Sequence, residues 1–187
     1  MLFTEYDTPI IGRLFLVSDG EGLVECMFEH DRYLAAEKLK DFQRDDRLGL
    51  FRQVVDWFDR YFAGERPLPS ELALAKSGTE FQMLVRAAML EIPYGETRTY
   101  GWIAERIEEA TGKPRSARAV GGAVGRNPLS IIVPCHRVMG AGGNLTGFGG
   151  GIATKARLLE HEGVDMSKLH MPKHIPSWNA AVEGERR

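Results

Sequence analysis

Cysteine is scarce in this chain: two residues in 187, Cys26 and Cys135. That excludes a disulfide framework and makes a reducing cytoplasm the expected setting. No CxxC pair exists, which excludes dithiol exchange. Cys26 and His30 stand four apart, but no second pair at ligand spacing accompanies them, so no metal is expected and Cys26 reads as structural. No apolar run is long enough to cross a bilayer. The opening Met1-Leu2-Phe3-Thr4-Glu5 lacks the basic and then apolar pattern of a secretory leader, so none is expected. Internal repeats and low-complexity blocks are also missing. The most telling absence is of acid: from Ala110 to Leu159 there is no Asp or Glu, although the whole chain carries 26. The same span holds Lys113, Arg115, Arg118, Arg126, Arg137, Lys155 and Arg157. It is therefore +7, against -9 for the remainder and a net charge of -2. One strongly basic region on a mildly acidic protein is the footprint of a polyanion partner.

What is present supports an ordinary core, with 43% hydrophobic and 27% charged residues, enough for one domain or one plus a small companion. Residues 1 to 75 read as a small α/β unit. The apolar stretches 13–18 and 23–28, separated by Asp19-Gly20-Glu21-Gly22, predict a hairpin. Apolar residues at Leu48, Phe51, Val54, Val55, Phe58 and Phe62 predict an amphipathic helix, broken at Gly64 before a proline-rich linker. Residues 77 to 165 read as a mostly helical unit. Thr79 and Gln82 form a capping box for a helix to Leu90. Thr99 caps a second helix to about Ala110, and Ser116 caps a third from Ala117 to Gly125. Helix, loop and short helix in a basic region predict a helix-turn-helix variant. The third helix is mostly Ala, Gly and Val, which suits either close approach to a partner surface or tight packing on a neighbouring helix. A last helix is expected from Thr154 to Glu162, ended by Gly163, followed by an irregular tail over 166–187.

Chemistry concentrates at Pro134-Cys135-His136-Arg137. A lone intracellular cysteine is usually a buried, inert hydrophobe. Here an imidazole and a guanidinium flank the thiol, and the thiolate is the nucleophilic form. Cys135 is therefore the candidate reactive residue.

Five stretches then resemble one family. They are Ile92-Pro93-Tyr94-Gly95-Glu96-Thr97-Arg98-Thr99-Tyr100, Arg118-Ala119-Val120-Gly121-Gly122-Ala123, Asn127-Pro128 with Pro134-Cys135-His136-Arg137-Val138, Thr146-Gly147-Phe148-Gly149-Gly150, and His161-Glu162-Gly163. Together they closely resemble the O6-alkylguanine-DNA alkyltransferases, and several ordered motifs at matching spacing are far more specific than any one alone. The resemblance is strong over 77–165 and covers the N-terminal unit by layout only. It implies an α/β, ribonuclease H-like N-terminal unit followed by a mostly helical domain with a winged helix-turn-helix-like DNA-binding motif.

It also implies DNA repair by irreversible, single-use transfer of the alkyl group from O6-alkylguanine in duplex DNA to Cys135, with no cofactor. In that scheme His136 is a water-mediated base, Glu162 orients it, and Asn127 supports the cysteine loop. Arg118, Tyr100, Ala119, Gly122 and Ala123 would contact DNA, with the damaged nucleotide turned out of the stack and the third helix in the minor groove. Val138, Phe148, Gly149 and Gly150 would line the base pocket, the carbonyls of Cys135 and Val138 receiving the guanine amine. A monomer is expected, with no membrane association. Phe148 stands where many relatives carry tyrosine, Ser130 where some carry proline, and the zinc-binding set of some relatives is missing. The alternative class is a non-enzymatic protein that only recognises alkylated DNA; such proteins lack the reactive cysteine, which is present here.

Overall fold

A computed structural model describes residues 1–29 and 36–171. His30 and residues 172–187, which include most of the predicted tail, lie outside the described residues. Two units follow one another, α/β and then mostly helical, as the sequence predicts. The first holds β1 (Leu2–Thr8), β2 (Gly12–Ser18) and β3 (Leu23–Phe28), then α1 (Ala36–Lys40), β4 (Gln43–Arg44) and α2 (Gly49–Phe62). The sheet order is β3-β2-β1-β4, with β1 and β3 antiparallel to β2 and β4 parallel to β1. The predicted hairpin is β2–β3. Its turn closes on Asp19, whose carboxylate accepts from the backbone N–H groups of Glu21 and Gly22. Sequence reading had missed β1, β4 and α1.

Helix α2 lays Phe51, Val54, Trp57, Phe58 and Tyr61 into the core, a 3.6-residue stripe. It packs on the sheet through the stacked rings of Tyr6 and Phe58, 5.4 Å between centroids. The Trp57 indole N–H donates to the Leu68 carbonyl at 3.0 Å and ties the linker down.

The second unit contains α3 (Glu80–Leu90), α4 (Tyr100–Thr111), α5 (Ala117–Val124) and α6 (Ile152–His161). All three predicted caps are in place: Thr79 Oγ1 accepts from Gln82 N–H, Thr99 Oγ1 from Trp102 N–H, and Ser116 Oγ from Ala119 N–H. Gly112 ends α4 in the left-handed conformation at φ 69°, where a side chain would be strained. Helices α3, α4 and α5 pack together around Val85, Met89, Ile103, Ile107, Val120 and Val124. The small third helix packs through one face and leaves the other free. Val120, Ala123 and Val124 are buried, while Arg118, Ala119 and Gly122 are exposed.

The two units are joined at the loop that carries the cysteine. Cys26 N–H on β3 donates to Pro128 O at 2.7 Å, and Ser130 N–H returns the bond to Cys26 O at 3.0 Å. The loop is thus paired to the sheet edge, a structural task for the Cys26 segment. A short parallel pair, β5 (Arg98–Thr99) with β6 (Val138–Met139), fastens the start of α4 to the residues just past Cys135. The last helix begins at Ile152, two residues before the predicted start. The expected irregular tail has some order at its beginning: Met166–Lys168 makes a turn, and His170 pairs with Asn144. This turn explains Gly143, whose φ is 82° and whose Cβ, were there one, would lie 2.3 Å from the Lys168 carbonyl. No helix among the described residues is long and apolar enough to cross a membrane.

Candidate active site and DNA-facing surface

Cys135 starts a single 3-10 turn, Cys135–Arg137, and is 8% exposed. The loop before it is held under tension. Ile131 has a φ of 70°, a conformation costly for a β-branched residue, on the order of 1–3 kcal/mol. Asn127 clamps this loop. Its Nδ2 donates to Val133 O at 2.9 Å and Leu129 O at 3.3 Å, and its Oδ1 accepts from Leu129 N–H at 3.2 Å.

The next residue, His136, is fully buried, and its Nε2 lies 2.8 Å from Glu162 Oε1. A carboxylate has no proton to donate, so a neutral His136 carries its proton on Nε2. That leaves Nδ1 as an acceptor, and among the described residues it has no hydrogen-bond partner. Burial lowers the His136 pKa, only partly opposed by the charge and hydrogen bond of Glu162, so the ring is a neutral base at pH 7.

Glu162 sits at the end of α6, turned inward and 4% exposed. A buried carboxylate needs partners, and this one is well supplied. Oε1 accepts from His136, from the Tyr61 hydroxyl at 2.8 Å and from Arg137 Nη2 at 2.9 Å. Oε2 accepts from Arg137 Nε at 2.8 Å and from Gly95 N–H at 3.1 Å. The two Arg137 bonds form a bidentate fork. Burial alone would raise the carboxyl, but His136 and Arg137 outweigh it and hold Glu162 well below the usual carboxylate range. Gly95 must be glycine: its φ is 77°, and a Cβ would lie 2.9 Å from the Glu162 carbonyl oxygen.

Sequence reading had not assigned Tyr61, Gly95 or Arg137 to this network. It had also counted Lys155 and Arg137 as part of a basic surface, and the structure corrects that. Lys155 is fully buried, its ammonium donating to Val138 O at 2.5 Å and Thr146 O at 3.1 Å. Burial pushes its pKa down to about 8, with the Cys135 thiolate pulling the other way. The attraction is mutual, so a charged Lys155 favours a thiolate at Cys135. The surface cations of the acid-free span are Lys113, Arg115, Arg118 and Arg126, with Arg157 half-buried.

Of the other sequence candidates, Tyr100 opens α4 and is half-buried, its hydroxyl donating to Thr146 O at 3.2 Å. Burial, and then the Cys135 thiolate, push its pKa up to about 12. Arg118, Ala119 and Gly122 lie on the exposed face of α5, whereas Ala123 is 6% exposed and faces the core. Val138 is buried, its carbonyl already accepting from Lys155, and the Cys135 carbonyl accepts from Val138 N–H. Each keeps its second lone pair for another donor. Phe148 is buried edge-on to Phe28 of the first unit, 5.4 Å between centroids. Gly150 presses on the same ring, where a Cβ would come within 2.4 Å of it. Packing thus requires glycine at 150, while Gly149 beside it is half-buried.

The fold and site together define a two-unit protein in which a cysteine precedes a buried His–Glu pair and a helix of small residues exposes an arginine. Comparison with known proteins agrees. Residues 1–76 match the ribonuclease-like domain of 6-O-methylguanine DNA methyltransferase, and residues 80–164 match its DNA binding domain. A methylated-DNA–protein-cysteine methyltransferase of Haemophilus influenzae is 44% identical over 87% of this chain and 86% of its own length. One from Mycobacterium tuberculosis is 55% identical over 83% of this chain and 88% of its own length. The crystal structure of Mycobacterium tuberculosis OGT in complex with DNA superposes with a TM-score of 0.76 and 44% identity, over 90% of this chain and 95% of that one. The chain belongs to the methylated-DNA–protein-cysteine methyltransferase family.

Proposed function

We propose that this protein repairs O6-alkylguanine in duplex DNA by moving the alkyl group onto Cys135. The observation that carries the reading is the buried 2.8 Å pairing of His136 with Glu162, next in sequence to a cysteine that keeps 8% exposure. The Cys135 thiol loses its proton to His136 Nδ1 through a bound water. Glu162 then stabilises the imidazolium, as in other sites where a third group orients the base. The sulfur attacks the alkyl carbon in line. A carbon–sulfur bond forms as the carbon–O6 bond breaks, and its electron pair leaves with guanine. Backbone N–H groups near Gly149 and Gly150 are suited to stabilise charge on the departing O6. The product is a thioether with no group able to cleave it, so each molecule acts once.

Reaching a carbon inside the stack requires the nucleotide to be turned out. Arg118 is the side chain placed to fill the gap, and the low bulk of Ala119 and Gly122 suits minor-groove contact. Tyr100 serves the turned-out nucleotide from the other side. Ala123 supports this surface from beneath. Minor-groove contact reads sequence poorly, which suits a protein that must find damage anywhere. The reading has the protein acting as a monomer in the reducing cytoplasm, where a thiol survives.

The test is a titration of protein into duplex carrying one O6-methylguanine, with the modified base counted after digestion. Loss is expected to plateau at one base per protein, and Cys135→Ala is expected to bind the duplex while removing none. Tight binding by the native protein with no loss would favour the recognition-only alternative and defeat this one.

A further inference from the structure

Between the first turn of α3 and the end of α5 lies a pocket of about 290 Å³. Ser77, Gln82, Arg86, Arg126 and Asn127 supply its polar walls, and no acidic side chain lines it. Six guanidinium groups among the described residues hold a carboxylate, those of Arg13, Arg44, Arg60, Arg98, Arg106 and Arg137. The two in this pocket are satisfied only by carbonyls. Arg86 Nη1 donates to Ala75 O at 2.9 Å, and Arg126 Nη1 reaches back to Gly122 O at 3.3 Å. Neither has a carboxylate partner among the described residues. Two like charges sharing a cavity with no counter-charge is an arrangement an anion relieves. Burial of the Arg86 guanidinium, which lowers its pKa, adds to that demand.

The geometry points to this pocket as the seat of one backbone phosphodiester of the bound DNA, gripped by Arg86 and Arg126. This rests on the reading that the exposed face of α5 lies against the duplex. Position favours DNA over a free anion. Arg118 and Gly122 are exposed on α5, and Arg126, also exposed, stands two residues past its end at Val124. A Cβ at Gly122 would lie 3.7 Å from Arg126 Nη1, an ordinary contact, so the two residues are neighbours on this surface. Eight residues, nearly all of them helical, separate the two arginines by about 12 Å, far enough to meet different nucleotides of one strand. One arginine can therefore serve the duplex interior while the other holds a flanking phosphate. Asn127 lines the same pocket and clamps the loop before Cys135. The phosphate seat and the nucleophile thus share a wall.

The experiment compares native protein, Arg126→Gln, Arg86→Gln, the double variant and Arg118→Ala in binding a duplex between 50 and 200 mM salt. Melting temperature checks that each is folded, and Arg126, being exposed, is the safe substitution. Losing one phosphate contact is expected to flatten the slope of log affinity on log salt by about 1, so affinity falls about 3.5-fold less over that range. Native slopes in Arg126→Gln and the double variant, with binding weakened in Arg118→Ala, would overturn the pocket assignment and leave the α5 reading standing. Native binding in Arg118→Ala as well would remove the α5 reading and the inference with it. Inorganic phosphate, followed through the Arg86 side-chain N–H resonance, separates the sources. Saturable binding without any change of DNA slope in the variants would mark a free-anion site and overturn the DNA assignment.

Discussion

Replacing Glu162 with glutamine puts the most strain on the proposed chemistry. The substitution keeps the shape and removes the charge. In the native protein both carboxylate oxygens face donors: Oε1 meets Tyr61, His136 and Arg137, and Oε2 meets Arg137 and Gly95. The glutamine amide nitrogen must take one of these places, and in either place it points N–H groups at N–H or O–H groups. Arg137 is left nearly buried without a counter-charge, keeping the amide oxygen and the Ile92 carbonyl at 2.8 Å as acceptors. Removing one partner of a buried pair costs about 3–5 kcal/mol. For a chain of this size that is about 6–20 °C in melting temperature. The chemical step loses its oriented base, for which a 10²–10⁴-fold slowing is the ordinary range.

The pH dependence has a definite sign. The folded Glu162 pKa is depressed below its ordinary 4.5, so its contribution to stability is complete above that pH and is lost as pH falls. The stability gap between native protein and Glu162→Gln is therefore expected to narrow below pH 4.5. Urea titrations across pH and rapid-quench transfer from an O6-methylguanine duplex measure the two quantities. A variant within twofold of the native rate and within about 1 kcal/mol in stability would refute the reasoning.

Tyr61→Phe removes a single donor to the same carboxylate; the expected loss is about 1.5–3 kcal/mol by urea denaturation, with a smaller slowing of transfer than in Glu162→Gln. The His136 pKa lies below 6.5, and only the neutral ring can accept the proton, so the transfer rate should fall as pH drops below 6.5. A midpoint above 6.5 in single-turnover kinetics would contradict that placement. Lys155, depressed from 10.5 to about 8, binds fewer protons folded than unfolded between those values, so it contributes a stability increase as pH rises through them. That increase is about 3 kcal/mol, and Lys155→Met should abolish it when stability is followed across the same pH range.

The sequence shows what is local and hides what is paired at a distance. The caps at Thr79, Thr99 and Ser116 are legible because a hydroxyl and the N–H it accepts from are three residues apart. The β2–β3 hairpin is legible because Asp19 and Gly20 announce its turn. Strand β1 is not, because Glu5 and Asp7 interrupt its apolar pattern; in the structure they pair with Arg13 on β2. The pairing of β5 with β6 joins residues forty apart, with no local signature. At the site, Cys135, His136 and Glu162 stand out through their motifs. Tyr61 does not, because its partner is 101 residues away and it reads as another aromatic on a core-facing helix. Lys155 misleads for a physical reason. Lysine is almost always exposed, and nothing in the neighbouring sequence announces the two carbonyls that receive its ammonium.

The central claim is that Cys135 itself becomes the acceptor of the alkyl group. The direct measurement is peptide mass mapping after mixing the protein with an equimolar duplex carrying one O6-methylguanine. The account predicts a gain of one methylene on the peptide containing Cys135, none on the peptide containing Cys26, and unmodified guanine recovered in equal amount. A methylene on any other residue, or recovered guanine with the Cys135 peptide unchanged, would contradict it.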